Sequence, residues 1–150
     1  MSERKQNKKI DKRAPVIVGV GDLVDRSKED GLNPQELLAK ACEHAIQDSG
    51  IEGLNKHIDY IGVVRFTVDF LTATNQSNFQ YSNFPRTLAN KLDISTKHEV
   101  YAPMGGNSPQ VLLEDALVKI SAGETDCALL TGGEALQTMI AKLKAGMSLD

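Results

Sequence analysis

Tryptophan is absent from this sequence, aromatic residues make up only 5%, and there are two cysteines in 150 residues. Cys42 and Cys127 have no CxxC spacing and no histidine partner nearby, which excludes a zinc site and a disulfide framework; both are expected to be reduced core residues. No apolar run approaches the ~18 residues of a membrane span, so no membrane association is expected. The nucleotide-cradling GxxxxGK[ST], the metalloprotease HExxH and the hydrolase GxSxG patterns are also missing, and those enzyme classes lose their support. His44, His57 and His98 are scattered, with no acid at triad spacing, and read as surface residues.

What remains is ordinary for a globular domain: 41% apolar and 25% charged residues, enough at this length to bury about two-thirds of the unfolded surface. The charge of -3 conceals an asymmetry. Residues 1–13 carry six Lys/Arg against Glu3 and Asp11, leaving 11 basic and 18 acidic residues in the body. This arm has no interleaved aromatics, which argues against nucleic acid, and reads as a flexible solvated tail. It also lacks the apolar core of a secretory signal and the acid-poor character of a transit peptide, so a cytoplasmic location is expected.

From residue 14 the chain alternates between two periodicities. Ala14–Gly21 is a continuous β-branched run closed by glycine and predicts a first strand covered on both faces. Asn33-Pro34-Gln35-Glu36 is a capping box with proline at the first helical position, opening a helix that Gly50 stops. A second strand is predicted over Ile58–Phe66. The polar stretch from Thr67 to Asn83 is long for a bare connection and reads as a functional or a disordered loop. A short helix from Asn83 to about Leu92, a strand near Glu99–Tyr101, a helix from Ser108 to Ser121, a strand over Asp126–Thr131 and a helix from about Ala135 to Lys144 complete the pattern. Strands alternating with helices imply a three-layer α/β domain with a mostly parallel mixed sheet and helices on both faces.

The helix over 108–121 is apolar around most of its circumference, with a polar strip limited to Gln110, Glu114, Asp115 and Lys119. Such a helix expects burial on two sides, and a sheet supplies one. Of the candidate sites, Gly19-Val20-Gly21 fails as a dinucleotide fingerprint because the third glycine position is Val24 and no helix opens at once. Ser108 stands at a strand-turn-helix junction where amide donors would favour an anionic nucleophile, or else it simply caps the helix.

Two segments carry a family resemblance. Val100-Tyr101-Ala102-Pro103-Met104-Gly105-Gly106-Asn107-Ser108-Pro109-Gln110-Val111 and Ile120-Ser121-Ala122-Gly123-Glu124-Thr125-Asp126-Cys127-Ala128-Leu129-Leu130-Thr131-Gly132-Gly133-Glu134 together resemble the thiolase superfamily, nearest the sterol-carrier-protein-type thiolases and acetyl-CoA acetyltransferase-like proteins. The order of turn, buried helix, I-x-x-G-x-x-D stretch and Gly-Gly-x-Glu strand end recurs across most of residues 14–140.

The resemblance implies that residues 14–150 are the N-terminal half of a thiolase fold without its C-terminal half, acting on an acyl-CoA substrate in lipid metabolism with no bound cofactor or metal. Anchoring the family's Cys-Gly-Ser-Gly-Leu-Gln motif on Gln110 puts Gly105 where the nucleophilic cysteine belongs, Gly106 at its glycine and Asn107 at its serine. Backbone groups of Gly105, Gly106 and Asn107 are then the candidate ligand contacts, and Ser108 is the alternative nucleophile. The expected function is an acyltransferase-family domain inactive by itself, the alternative being a non-catalytic module that binds an acyl or coenzyme A group or a partner chain. The resemblance also implies a partner for the 108–121 helix, either a second copy of this chain or the missing half.

Overall fold

The computed structural model describes residues 11–27, 31–67 and 83–146. Three strands form one parallel sheet in the order β2-β1-β3: β1 is Tyr60–Val64, β2 is His98–Ala102 and β3 is Ala128–Thr131. The register sets Gly62 of β1 beside Val100 on one flank and Leu130 on the other. No antiparallel strand occurs among the described residues.

Helix α1, Pro34–Asp48, begins as its sequence dictates: the Asn33 side chain accepts from the Glu36 amide at 2.9 Å, and the Glu36 carboxylate accepts in return from the Asn33 amide at 3.3 Å. Helix α2, Phe84–Lys91, is capped by the Asn83 side chain on the Arg86 amide. Both lie on one face of the sheet, where Leu38, Ala39 and Cys42 of α1 and Phe84, Leu88 and Ala89 of α2 meet Ile61 and Val63 of β1 in a single buried cluster. Phe66 seals its end edge-on against Phe84 at 4.7 Å. Helix α3, Ser108–Ala122, packs against all three strands from the other face, and Gly123 ends it in the left-handed region at φ 75°. Helix α4, Leu136–Lys144, returns Met139 to the main core. The result is helix on sheet on helix, as expected.

The first predicted strand is corrected. Residues 14–27 make no strand pairing. The run lies against α1, where a side chain at Gly19 would strike the Ala45 carbonyl and one at Gly21 would strike Ala41 and Ala45 backbone. Its Val20 amide donates to the Asp48 carboxylate at 2.9 Å rather than to a strand. Val16 and Ile17 remain 76% and 78% exposed. The two glycines match α1 so closely that the run docks there, while the burial its side chains predicted does not occur. The Thr67–Asn83 loop reading falls on residues 68–82, outside the described residues, as do residues 1–10 of the basic arm. Of that arm, Arg13 is described, and its guanidinium donates to the Ala122 carbonyl at 3.1 Å.

At the amino ends of the strands, Asp59 ties the sheet together. Its carboxylate accepts from the Asp126 amide at 3.1 Å and the Cys127 amide at 3.4 Å, and it pairs with the Lys97 ammonium at 2.6 Å. One buried side chain just before β1 thereby joins the approaches to β2 and β3.

Candidate functional site

The carboxyl ends of β1 and β3 and the start of α3 enclose a groove of about 480 Å³. Val64, Leu130, Pro109 and Leu112 form its apolar wall, and Thr131-Gly132-Gly133-Glu134 line the rest. This is where an open parallel sheet places its ligands, since the loops that follow successive strands all emerge on that edge. Gly62 sets the depth. It faces α3 from the middle of β1, and a Cβ there would come within 3.1 Å of Leu112 and 3.0 Å of Leu130, so glycine allows the helix to sit close on the sheet.

Two charged residues reach the groove. Glu134 uses one carboxylate oxygen to accept from both the Thr67 amide and the Thr67 hydroxyl, each at 2.7 Å, clasping the chain after β1 to the chain after β3. Arg65 turns its guanidinium over the Tyr101 ring, 4.4 Å from the centroid. The groove is therefore apolar in its wall, and among the described residues no other cation lines it.

Gly105, Gly106 and Asn107 form the exposed turn between β2 and α3. The Gly105 carbonyl accepts from the Ser108 amide at 3.0 Å, closing the turn. Ser108 differs from its expected capping role: Asn107 is the cap residue, with no side-chain capping bond, and Ser108 is the first helical residue. Its hydroxyl is buried and donates to the Pro103 carbonyl at 2.5 Å. That bond closes the turn a second time and occupies the proton a nucleophile would have to release. The structure brings Ser108 together with Gly105 but aims its oxygen back at the β2 end.

Neither cysteine is at this turn. Cys42 is buried on α1, on the opposite face of the sheet, where burial pushes its thiol up to about 11 despite a hydrogen bond with Thr131. Cys127 is half-buried at the amino end of β3, its thiol raised by burial and by the Asp59 and Asp126 carboxylates. Both are free thiols, and both environments favour the inert protonated form. The histidines stay apart: the His44 ring nitrogen lies 2.9 Å from the Asp22 carbonyl, His57 ends a short 3-10 turn, and His98 begins β2. Among the described residues no cluster of metal-ligating side chains occurs. No described helix is long and apolar enough to cross a membrane.

Sequence reasoning missed the Glu134–Thr67 clasp and the Asp59 node. Their residues are far apart in the chain, and only an acid next to a strand end hinted at either.

A parallel β2-β1-β3 sheet, with a glycine turn leading from β2 into a helix on one face and a Gly-Gly-x-Glu segment closing β3, defines a thiolase-like fold. Among solved structures, this chain matches a monomeric SCP2-thiolase-like protein type 1 from Mycobacterium smegmatis at 32% identity, with a TM-score of 0.65. The match covers 81% of this chain and 24% of that one, so the chain spans about a quarter of its relative's length. No protein-family model matches the sequence, and no curated protein does.

Proposed function

We propose that this chain is a thiolase-like acyltransferase-family domain that receives the acyl end of a coenzyme A thioester in the β1/β3/α3 groove without taking the acyl group covalently. The observation that carries the reading is the turn itself: Gly105 and Gly106 offer backbone only, at the point where the resemblance calls for a sulfur nucleophile. A thiolate at a helix start is the group that would accept the acyl chain. The two thiols lie elsewhere with raised pKa values, and the Ser108 proton is committed to Pro103.

The groove supports the acyl end rather than the phosphorylated end of such a ligand. Its wall is Val64, Pro109, Leu112 and Leu130, and the one cation among its described lining residues, Arg65, lies over Tyr101. A phosphate would find Glu134 there instead, an unfavourable neighbour. A volume of about 480 Å³ falls in the range of small-ligand sites.

Incubation with isotopically labelled acetyl-CoA followed by intact-protein mass spectrometry is expected to leave the chain unlabelled, while calorimetry with acyl-CoA shows saturable binding that weakens in Leu130→Asp. An acetyl group on Ser108 would restore the enzyme reading. Absence of saturable binding would remove the ligand.

A further inference from the structure

The two faces of the sheet are not equally covered. Towards α1 and α2, Ile61, Val63 and Leu129 are buried in a continuous core. Towards α3, one helix crosses the whole face and stands as a ridge between two grooves. The groove between α3 and β2, about 640 Å³, has charged residues such as Lys97, Asp115 and Lys119 in its lining. The 480 Å³ groove described above is apolar, and its inner end has an unusual construction. Side chains alternate along a strand, so Tyr60, Gly62 and Val64 of β1 share the face towards α3. Val64 lines the groove, and Tyr60 is fully buried with its hydroxyl donating to Asp115 at 2.8 Å. Gly62, between them, leaves a gap in the row. A Cβ there would lie 3.0 Å from a Leu130 methyl, 3.1 Å from a Leu112 methyl and 3.1 Å from the Tyr60 ring edge, so these side chains fill the gap. Both leucines also line the groove. Leu112 is buried, whereas Leu130 is only half-buried. The inner end of the groove is thus closed by side chains that stand over a strand position with none of its own.

Resting on the reading that an acyl-CoA places its acyl end in this groove, we infer that Leu130 sets the length of acyl chain the site accepts, with Gly62 holding the space behind it. An acetyl group brings a single methyl to the wall of Val64, Pro109, Leu112 and Leu130 and leaves most of it uncovered. The wall therefore fits a straight chain of several methylenes. A chain that enters at the strand ends, beside Pro109 and Gly132, passes Val64 and meets Leu130. Each methylene that leaves water for an apolar wall tightens binding roughly three- to fourfold. A methylene with no wall left to touch adds nothing, so affinity climbs with chain length and levels off where the chain reaches Leu130. Removing that side chain deepens the site. Without a Cβ at residue 62 the space continues to the β1 backbone, and Tyr60, tied to Asp115, keeps its place beyond. Neighbours fixed in this way do not collapse into the room a smaller residue leaves.

Calorimetry with acetyl-, butyryl-, hexanoyl-, octanoyl- and decanoyl-CoA tests it. In the native chain, affinity is expected to climb on the order of tenfold per step and then level off. In Leu130→Ala the levelling-off moves to a chain about two methylenes longer. In Leu130→Phe, whose ring extends into the open groove, it moves to a shorter chain. Adding Gly62→Ala to Leu130→Ala returns part of the extension, because the new methyl stands in the space the leucine left. Far-UV circular dichroism checks that each variant is folded, and Leu130→Phe carries the test should Leu130→Ala unfold. A residue that only supported the fold would weaken all chain lengths alike and leave the levelling-off length where it is. That length unchanged in a folded Leu130→Phe or Leu130→Ala overturns the inference while leaving the groove as an acyl site. Equal affinity for acetyl- and decanoyl-CoA, or a climb that never levels off, does the same. Absence of binding at every length overturns both the inference and the reading it rests on.

Discussion

Asp59 is the residue on which the amino end of the sheet depends, and its chemistry is sensitive to pH. Burial alone would raise its pKa; the Lys97 ammonium and the Cys127 and Asp126 amides outweigh burial and hold the carboxyl below its usual range. The folded-state pKa is thus lower than the unfolded value of about 3.9. The stabilisation is then fully present above that unfolded value and is lost as pH falls through the folded one. Urea unfolding of the native chain should show a constant midpoint from neutral pH down to about 5 and a falling one below 4. Asp59→Asn should lower stability by about 1–2 kcal/mol at neutral pH, a modest figure because Lys97 is largely exposed, and should flatten the acid dependence. Thr125 is the opposite case. It is 2% exposed and its hydroxyl has no hydrogen-bond partner among the described residues. An unsatisfied buried hydroxyl costs free energy, so Thr125→Val is expected to be neutral or stabilising by up to about 1 kcal/mol in the same measurement.

Among the elements, the helices follow from local chemistry and the first strand does not. Asn33, Pro34 and Glu36 start α1 whatever lies around them, because a capping box satisfies its own donors. Gly123 stops α3 equally locally. The run Val16–Val20 has every local mark of a strand, yet a strand exists only when a neighbour pairs with it, and no described strand does so. What holds the run is contact of Gly19 and Gly21 with the backbone of α1. Gly21→Ala would force these backbones apart and is expected to cost about 1–3 kcal/mol, with amide exchange rising along α1 between Ala41 and Ala45. Retention of full stability and unchanged exchange would show that the contact is looser than described. At the turn before α3, sequence located Ser108 correctly at the junction but could not tell which way its hydroxyl points. That direction depends on the Pro103 carbonyl, which the fold of the turn presents.

For the whole molecule, the groove beside α3 draws its walls from β1, β3 and α3, and no stretch of sequence contains it. A ligand that binds only the folded chain stabilises it, so saturating acyl-CoA is expected to raise the melting temperature of the native chain, and to raise it less in Leu130→Asp. Equal melting temperatures with and without the ligand would argue against binding in the groove.

Read along the chain, the α/β class, the helix boundaries, the turn at Gly105–Asn107 without a sulfur nucleophile and the surplus of apolar residues on α3 were all determined by sequence. Each rests on capping, periodicity or residue type, which act within a few neighbours. Only the tertiary structure decided that Val16–Val20 would lie unpaired, that Asp59 would join three strands, that Glu134 would clasp Thr67 and that α3 would stand as a ridge between two grooves. Those outcomes depend on which distant backbones come close enough to share hydrogen bonds or exclude water, and one-dimensional order does not carry that distance.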